Sequence, residues 1–168
     1  MASTLTVDNI VGATSSSSIH IPGHVVQVVQ GASTTTTTNT TTAYGDTTLS
    51  VSITPHYANS KILVTVQQYL TVNNTGTTEI GAGLRLVRDS TTIANLDDTR
   101  RAAMQSQTTG GNQQIGGVTF MQYLDSPSTS SAVTYKTQMA VYQTSGSGST
   151  TAQKNSTESR IVVMEIAQ

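Results

Sequence analysis

Between Val25 and Ala167 apolar residues recur mostly at every second position, and no stretch holds the three-and-four spacing of a helix. Leu49, Val51 and Ile53 alternate with Ser50, Ser52 and Thr54, and Pro55 stops that run. In Lys61–Val72, Ile62, Val64 and Val66 share one face while Leu63, Thr65 and Gln67 share the other. The segment IGAGLRLVRD turns Leu84 and Leu86 inward and Arg85 outward, and Asp89-Ser90 marks a turn into STTIANL. GGVTFMQYLD alternates Val118, Phe120 and Gln122 against Thr119, Met121 and Tyr123. AVTYKTQMAVY places Val133, Tyr135, Thr137, Met139 and Val141 on one side. HVVQVVQ opens the series as a short apolar strand. SRIVVMEIA closes it and is apolar enough to lie centrally in a sheet.

The pattern predicts about eight or nine strands and no helix. Turn-rich links lie at NNTGTT, TTGGNQQ, SPSTSS and TSGSGST. Many short strands joined this way predict an all-β fold, an antiparallel β-sandwich of the jelly-roll kind. No fixed-period repeat points to a solenoid or propeller.

One stretch breaks the alternation. Residues 34–42 read TTTTTNTTT, eight threonines in nine positions. Threonine stiffens an extended backbone while its hydroxyl tolerates water, so the run suits a strand acceptable to solvent on both faces. Nothing apolar fixes its register. The expectation is a paired outer strand or a long surface excursion.

Composition decides how such strands can be stabilised. Leu, Ile, Val and Phe make up about 21% of the 168 residues, with one phenylalanine and no tryptophan. That lies near the bound of roughly 20% below which a chain struggles to build a core. The core is therefore expected to be thin, and burial shared between subunits is the simplest remedy. Only 10% of residues are charged and the net charge is −1, so no cation cluster points to nucleic acid or an anionic membrane. There is no cysteine, which excludes disulfides and thiolate metal sites. No apolar run reaches the length of a membrane span, so no membrane insertion is expected. MASTLTVDNIVG lacks the features of a signal peptide, which predicts synthesis and retention in a cytoplasm, or release by lysis.

Residues 1–23 differ from the rest. Small apolar clusters, a serine run and Ile21-Pro22-Gly23 predict an extended arm, with the strand domain spanning 24–168. Leu5, Val7, Ile10 and Val11 are its candidate attachment residues, because frayed tails rarely carry so many apolar groups. The motifs that would carry chemistry are weak. His20, His24 and His56 have no supporting carboxylate or cysteine, so no metal and no cofactor is expected. Asp97-Asp98 adjoin Arg100-Arg101 and read as a solvated turn or an ion-pair cluster rather than an acid–base pair. Arg85 and Arg88 read as residues of the wet face. No G-x-S-x-G and no Walker spacing is present, and the pattern predicts no enzyme.

VVQVVQ, TTLSVSITPHYANSKILVTV, LRLVRDSTTIA, FMQYLDSPSTSSAVTYKTQMAV and SRIVVMEIAQ occur in an order that resembles virion proteins of marine bacteriophages, especially cyanophages, of the tail-fibre-like structural family. The resemblance covers most of residues 5–168, and LTVDNIVG is similar to the N-terminal segments of such chains. It implies a non-enzymatic virion component with a C1q- or TNF-like jelly roll, assembled as a homotrimer and joined by its arm to other virion proteins of the tail or capsid. It leaves open a tail fibre, a head fibre or a capsid-decorating protein. Contact with a host surface glycan would then rest on loops, with Asn73, Asn74, Gln113 and Ser147 as candidates. A small depolymerase and a free lectin-like module are the rival readings.

Overall fold

The computed structural model describes residues 6–7, 10, 12, 21–76, 78–96, 104–106, 112–143 and 148–168, with only the backbone of 104–106 and of residue 143. The described residues form eleven strands: β1 (Val25–Ser33), β2 (Thr37–Asn39), β3 (Gly45–Ile53), β4 (Lys61–Asn74), β5 (Ile80–Arg88), β6 (Thr91–Asn95), β7 (Met104–Ser106), β8 (Gln113–Asp125), β9 (Val133–Gln143), β10 (Gly148–Ala152) and β11 (Ser159–Ile166). A single turn of 3-10 helix, Lys154–Ser156, interrupts them. All strand pairs are antiparallel, as the alternation predicts.

The strands make two sheets. In the first, β4 is the spine: β8 pairs along one edge from Ile62 to Asn74. β11 and β10 divide the other edge, and β1 and β2 lie outside them. The second sheet runs β3–β9–β5, with β6 and β7 sharing the far edge of β5. The chain crosses repeatedly from one sheet to the other, which gives an antiparallel jelly-roll sandwich. β11 lies between β1 and β4, inside the sheet. Beyond β1, Gly23 N–H donates to Ala167 O at 2.8 Å and Ala167 N–H donates to His24 O at 3.0 Å, which carries the pairing into the end of the expected arm.

The inner faces enclose the core. Ile62, Val64, Val66, Leu70, Val72, Ile161 and Val163 meet Leu49, Ile53, Leu84, Leu86, Tyr135 and Met139. The apolar supply is thin, and polar side chains fill part of the interior. Thr47 and Thr137, both fully buried, share a 2.5 Å hydroxyl contact, and Gln68, Thr119, Thr150 and Gln153 are also buried. A β-branched hydroxyl residue fills volume as valine does, provided its oxygen finds a partner.

One side of the sandwich is closed. A Cβ on Gly31 of β1 would collide with the carbonyl oxygen of Ser50 in β3, so only glycine allows the two edges to meet. The threonine run completes the closure, and it is both strand and excursion. Thr37–Asn39 pairs with β10, and the Thr38 and Thr151 hydroxyls lie 3.0 Å apart. Asn39, the single break in the run, is its anchor. Its amide donates to Met139 O at 2.8 Å and Ala43 O at 2.9 Å, and its carbonyl accepts from Thr41 N–H at 2.8 Å. Thr41 O accepts from Val141 N–H at 2.9 Å, so the segment passes from the first sheet to the second. Asn39→Ala is expected to lower stability by about 1–3 kcal/mol, because Met139 O and Thr41 N–H lose a partner together. Thr40→Ala, one residue away and exposed, should stay within about 0.5 kcal/mol of the parent. Urea unfolding midpoints compare the two, and equal losses would refute the role given to Asn39.

Candidate functional site

The two outer faces of the sandwich differ in kind. On the second sheet, Asp46, Gln138 and Arg85 lie in one row across β3, β9 and β5. Arg85 donates to Gln138 Oε1 at 2.6 and 2.9 Å, Gln138 donates to Asp46 at 2.7 Å, and Lys136 Nζ donates to Asp46 at 2.9 Å. The Arg85 guanidinium also covers the Tyr44 ring, 4.2 Å from its centroid. Partial burial acts to raise the Asp46 carboxyl, but bonds from Gln138 and Lys136 outweigh it and hold the group below its ordinary value. This face is polar and satisfied by its own residues.

The outer face of the first sheet is not. Val28, Met164, Leu63 and Leu124 stand opposite one another in a row that crosses β1, β11, β4 and β8. Along β8, beyond the pair Gln122 and Thr65, Phe120 stands opposite Gln67, and Val118 opposite Tyr69. Val118 is 60% exposed, Phe120 59%, Val28 56% and Leu124 48%. A chain short of apolar side chains thus places its only phenylalanine in water. Two cations lie on this face: Arg160, paired with Glu158, and Lys61, two residues before Leu63 on β4.

β8 concentrates the exposure. Its inner-facing Ile115 and Tyr123 are also only partly covered, at 37% each. It keeps thirteen residues in unbroken register with β4, without a bulge, a proline or any charge from Gln113 to Leu124. Among the described residues, no strand pairs with its second edge. Folded proteins normally blunt such an edge with lysine, proline or a bulge.

The sequence-predicted sites fall elsewhere. Val7 and Ile10 are exposed, while Leu5, Val11, His20 and Ser147 lie outside the described residues, as do Asp97, Asp98, Arg100 and Arg101. Asn73, Asn74 and Gln113 were expected in loops and lie instead in the paired ends of β4 and β8, because the β4–β8 ladder runs on to Asn74↔Gln113. The Asn74 side chain is buried, and its amide donates to Thr78 O at 2.7 Å, which shapes the turn. His24 and His56 both have hydrogen-bond partners, and no group of three metal-ligating side chains occurs among the described residues.

Arg88 corrects an expectation. It is not a wet-face residue: its guanidinium donates to Asp125 Oδ2 at 2.7 Å, and the buried Tyr135 hydroxyl donates to the same oxygen at 2.7 Å. Its register opposite Tyr135 turns it to the inner face. Asp125 and the buried Glu165 are the anchors that sequence reasoning missed. Their signal was a carboxylate at an inward position of an alternating strand. A recess lined by Asp46, Thr48, Leu49, Ser50, Lys136 and Thr137 encloses only about 80 Å³.

No protein-family model and no curated protein matches the sequence. Among solved structures, the chain is similar to the VP2 subviral particle of infectious bursal disease virus, with 9% identity over 84% of this chain and 38% of that one, at a TM-score of 0.43. The T13 particle of the same virus gives 12% identity, 84% and 35% coverage, and a TM-score of 0.41. The Gx strain structure gives 13% identity, 100% and 42% coverage, and a TM-score of 0.38. The chain thus spans well under half the length of these proteins, and scores of this size assign no function.

Proposed function

We propose that the protein is a non-enzymatic structural component of a bacteriophage virion, a homotrimeric fibre or knob made in the host cytoplasm and displayed on the particle. The tail is the favoured position. The N-terminal arm joins it to other virion proteins, and the exposed loops meet host glycan. The single observation that supports an assembly role is the uncharged, apolar β8 side of the first sheet. Exposed apolar surface of this kind marks a place where another protein sits. The sequence resemblance to phage structural proteins supplies the virion setting.

Light scattering of the purified chain at micromolar concentration should give three times the chain mass. A stable monomer would overturn the assembly reading. Incubation with host polysaccharide should release no reducing ends, and their appearance would overturn the non-enzymatic reading. Imaging of labelled particles should place the label on the tail, and label on the head would replace the fibre by a decorating protein.

A further inference from the structure

We infer that the interior of the sandwich binds an ordered water molecule between Gln68 of β4 and Thr119 of β8, as a bridge between the two strands. Gln68 and Thr119 stand opposite each other in the β4–β8 ladder and both are buried, Gln68 fully and Thr119 at 7% exposure. Gln68 Oε1 and Thr119 Oγ1 are shielded from solvent, and neither has a hydrogen-bond partner among the described residues. Burying a polar atom in that state is costly, and two such atoms in one cross-strand pair call for a shared partner.

The orientation of Gln68 is fixed from its other end. Turned so that its nitrogen donates to Thr47 O at 3.2 Å and Ala152 O at 3.3 Å, the Gln153 amide accepts from Gln68 Nε2 at 3.1 Å. With Nε2 committed to Gln153, Gln68 Oε1 needs a donor from elsewhere. The Thr119 hydroxyl can donate and accept. Water is the ligand that fits, since it donates to Gln68 Oε1 and exchanges its second bond with Thr119. Two neutral oxygens are too few for a hard cation such as calcium, which takes about six or more. The next inward position of β8 is Gly117, opposite Leu70, and it brings no side chain to fill the space beside Thr119. The bridge also bears on the face that β8 turns inward. Shifted by one residue along β4, the strand would set Val118 or Phe120 against Gln68, and neither can share a water with the amide. The hydrated pair therefore favours the register that leaves Phe120 outside.

The test uses the full chain, and Thr119→Val decides by sign. Valine keeps the shape of threonine and removes the hydroxyl. Without a bound water, the change would delete an unpaired buried hydroxyl and raise the folding equilibrium constant. With the bridge in place it strands Gln68 Oε1, and the constant should fall about tenfold in urea unfolding at one fixed protein concentration. Magnetic relaxation dispersion of the water oxygen reports long-lived internal waters. The parent should show a contribution that Thr119→Val lacks, and Thr119→Ser, which keeps the hydroxyl, should retain it. A folding constant that rises in Thr119→Val, or a water signal equal in parent and Thr119→Val, overturns the site. So does a high-resolution crystal structure in which the Thr119 hydroxyl bonds Gln68 directly.

Discussion

Glu165→Ala should lower the unfolding free energy by about 3–5 kcal/mol near neutral pH, among the largest losses for a single side chain here. Glu165 is fully buried at an inward position of β11. Its carboxylate accepts from Gln27 Nε2 at 2.7 Å, from His56 N–H at 2.8 Å and from Tyr57 N–H at 3.1 Å, and His56 Nδ1 lies 3.1 Å away. These bonds tie the connection between β3 and β4 to the end of the first sheet. Alanine would leave the His56 and Tyr57 N–H groups without an acceptor and take one of the acceptors of Gln27, which keeps Thr54 O.

Acid should produce a related loss in the parent. Burial acts to raise the Glu165 pKa, but the bonds from Gln27 and from the His56 and Tyr57 backbone outweigh it and bring it down from 4.5 to about 2. The folded value lies below the unfolded one. The stabilisation is therefore complete above about pH 4.5 and is lost as pH falls through about 2, a difference of about 3 kcal/mol. Urea midpoints of parent and variant, measured at about pH 7 and about pH 2, should converge in acid. An equal gap at both values would show that the carboxylate charge is not what holds the connection.

The second large effect belongs to Asp125→Ala, expected to cost about 3–5 kcal/mol. Asp125, at the end of β8, is the first-sheet member of a triad whose other two members, Arg88 in β5 and Tyr135 in β9, belong to the second. Burial, the bond to Asp125 and its charge all push the Tyr135 hydroxyl pKa up. Burial works against the Arg88 charge, yet the Asp125 bond keeps its pKa above the ordinary value. Removing the carboxylate strands a guanidinium and a phenol together in a largely buried place, and breaking a buried pair from one side costs more than the pair contributed. Asp125→Asn should recover part of the loss, since it still accepts one bond. Denaturation at one fixed protein concentration measures the cost, because association also adds to apparent stability. Hydrogen exchange should show faster opening at the Asp125 end of β8. Slow exchange there in Asp125→Ala would mean that pairing with β4 suffices to hold the strand.

Both residues show what a reader of the chain could and could not see. Glu165 alternates in step with Ile161 and Val163, so an inward carboxylate was legible in SRIVVMEIA. Its partners, Gln27 and residues 56–57, lie more than a hundred positions away, and nothing local announces them. Arg88 looked like a solvent residue because lysines and arginines at strand ends usually are. Its true surroundings depend on β5, β8 and β9 being brought together.

Two segments mark the same boundary. The threonine run had no apolar alternation, so its register was open until Thr38–Thr151 and the four-way use of Asn39 settled it. In β8 the alternation itself was plain, but it did not say which set faces the core. Hydrophobicity favours Val118 and Phe120, and the fold buries Thr119 and Met121. The pairing of Met121 with Val66, and of Phe120 with Gln67, decides it. The arm residues Leu5 and Val11 lie outside what the structure describes.

Most strands, the antiparallel class and the central place of β11 followed from the chain alone, because a period of two is a property of neighbours along the backbone, while the short β7 and β10, without apolar alternation, did not. Which face of each strand meets the core, which edge stays open and which charges become partners were decided only in three dimensions. Those depend on register between strands far apart in the chain, and a shift of one residue in register exchanges every inside group for an outside one.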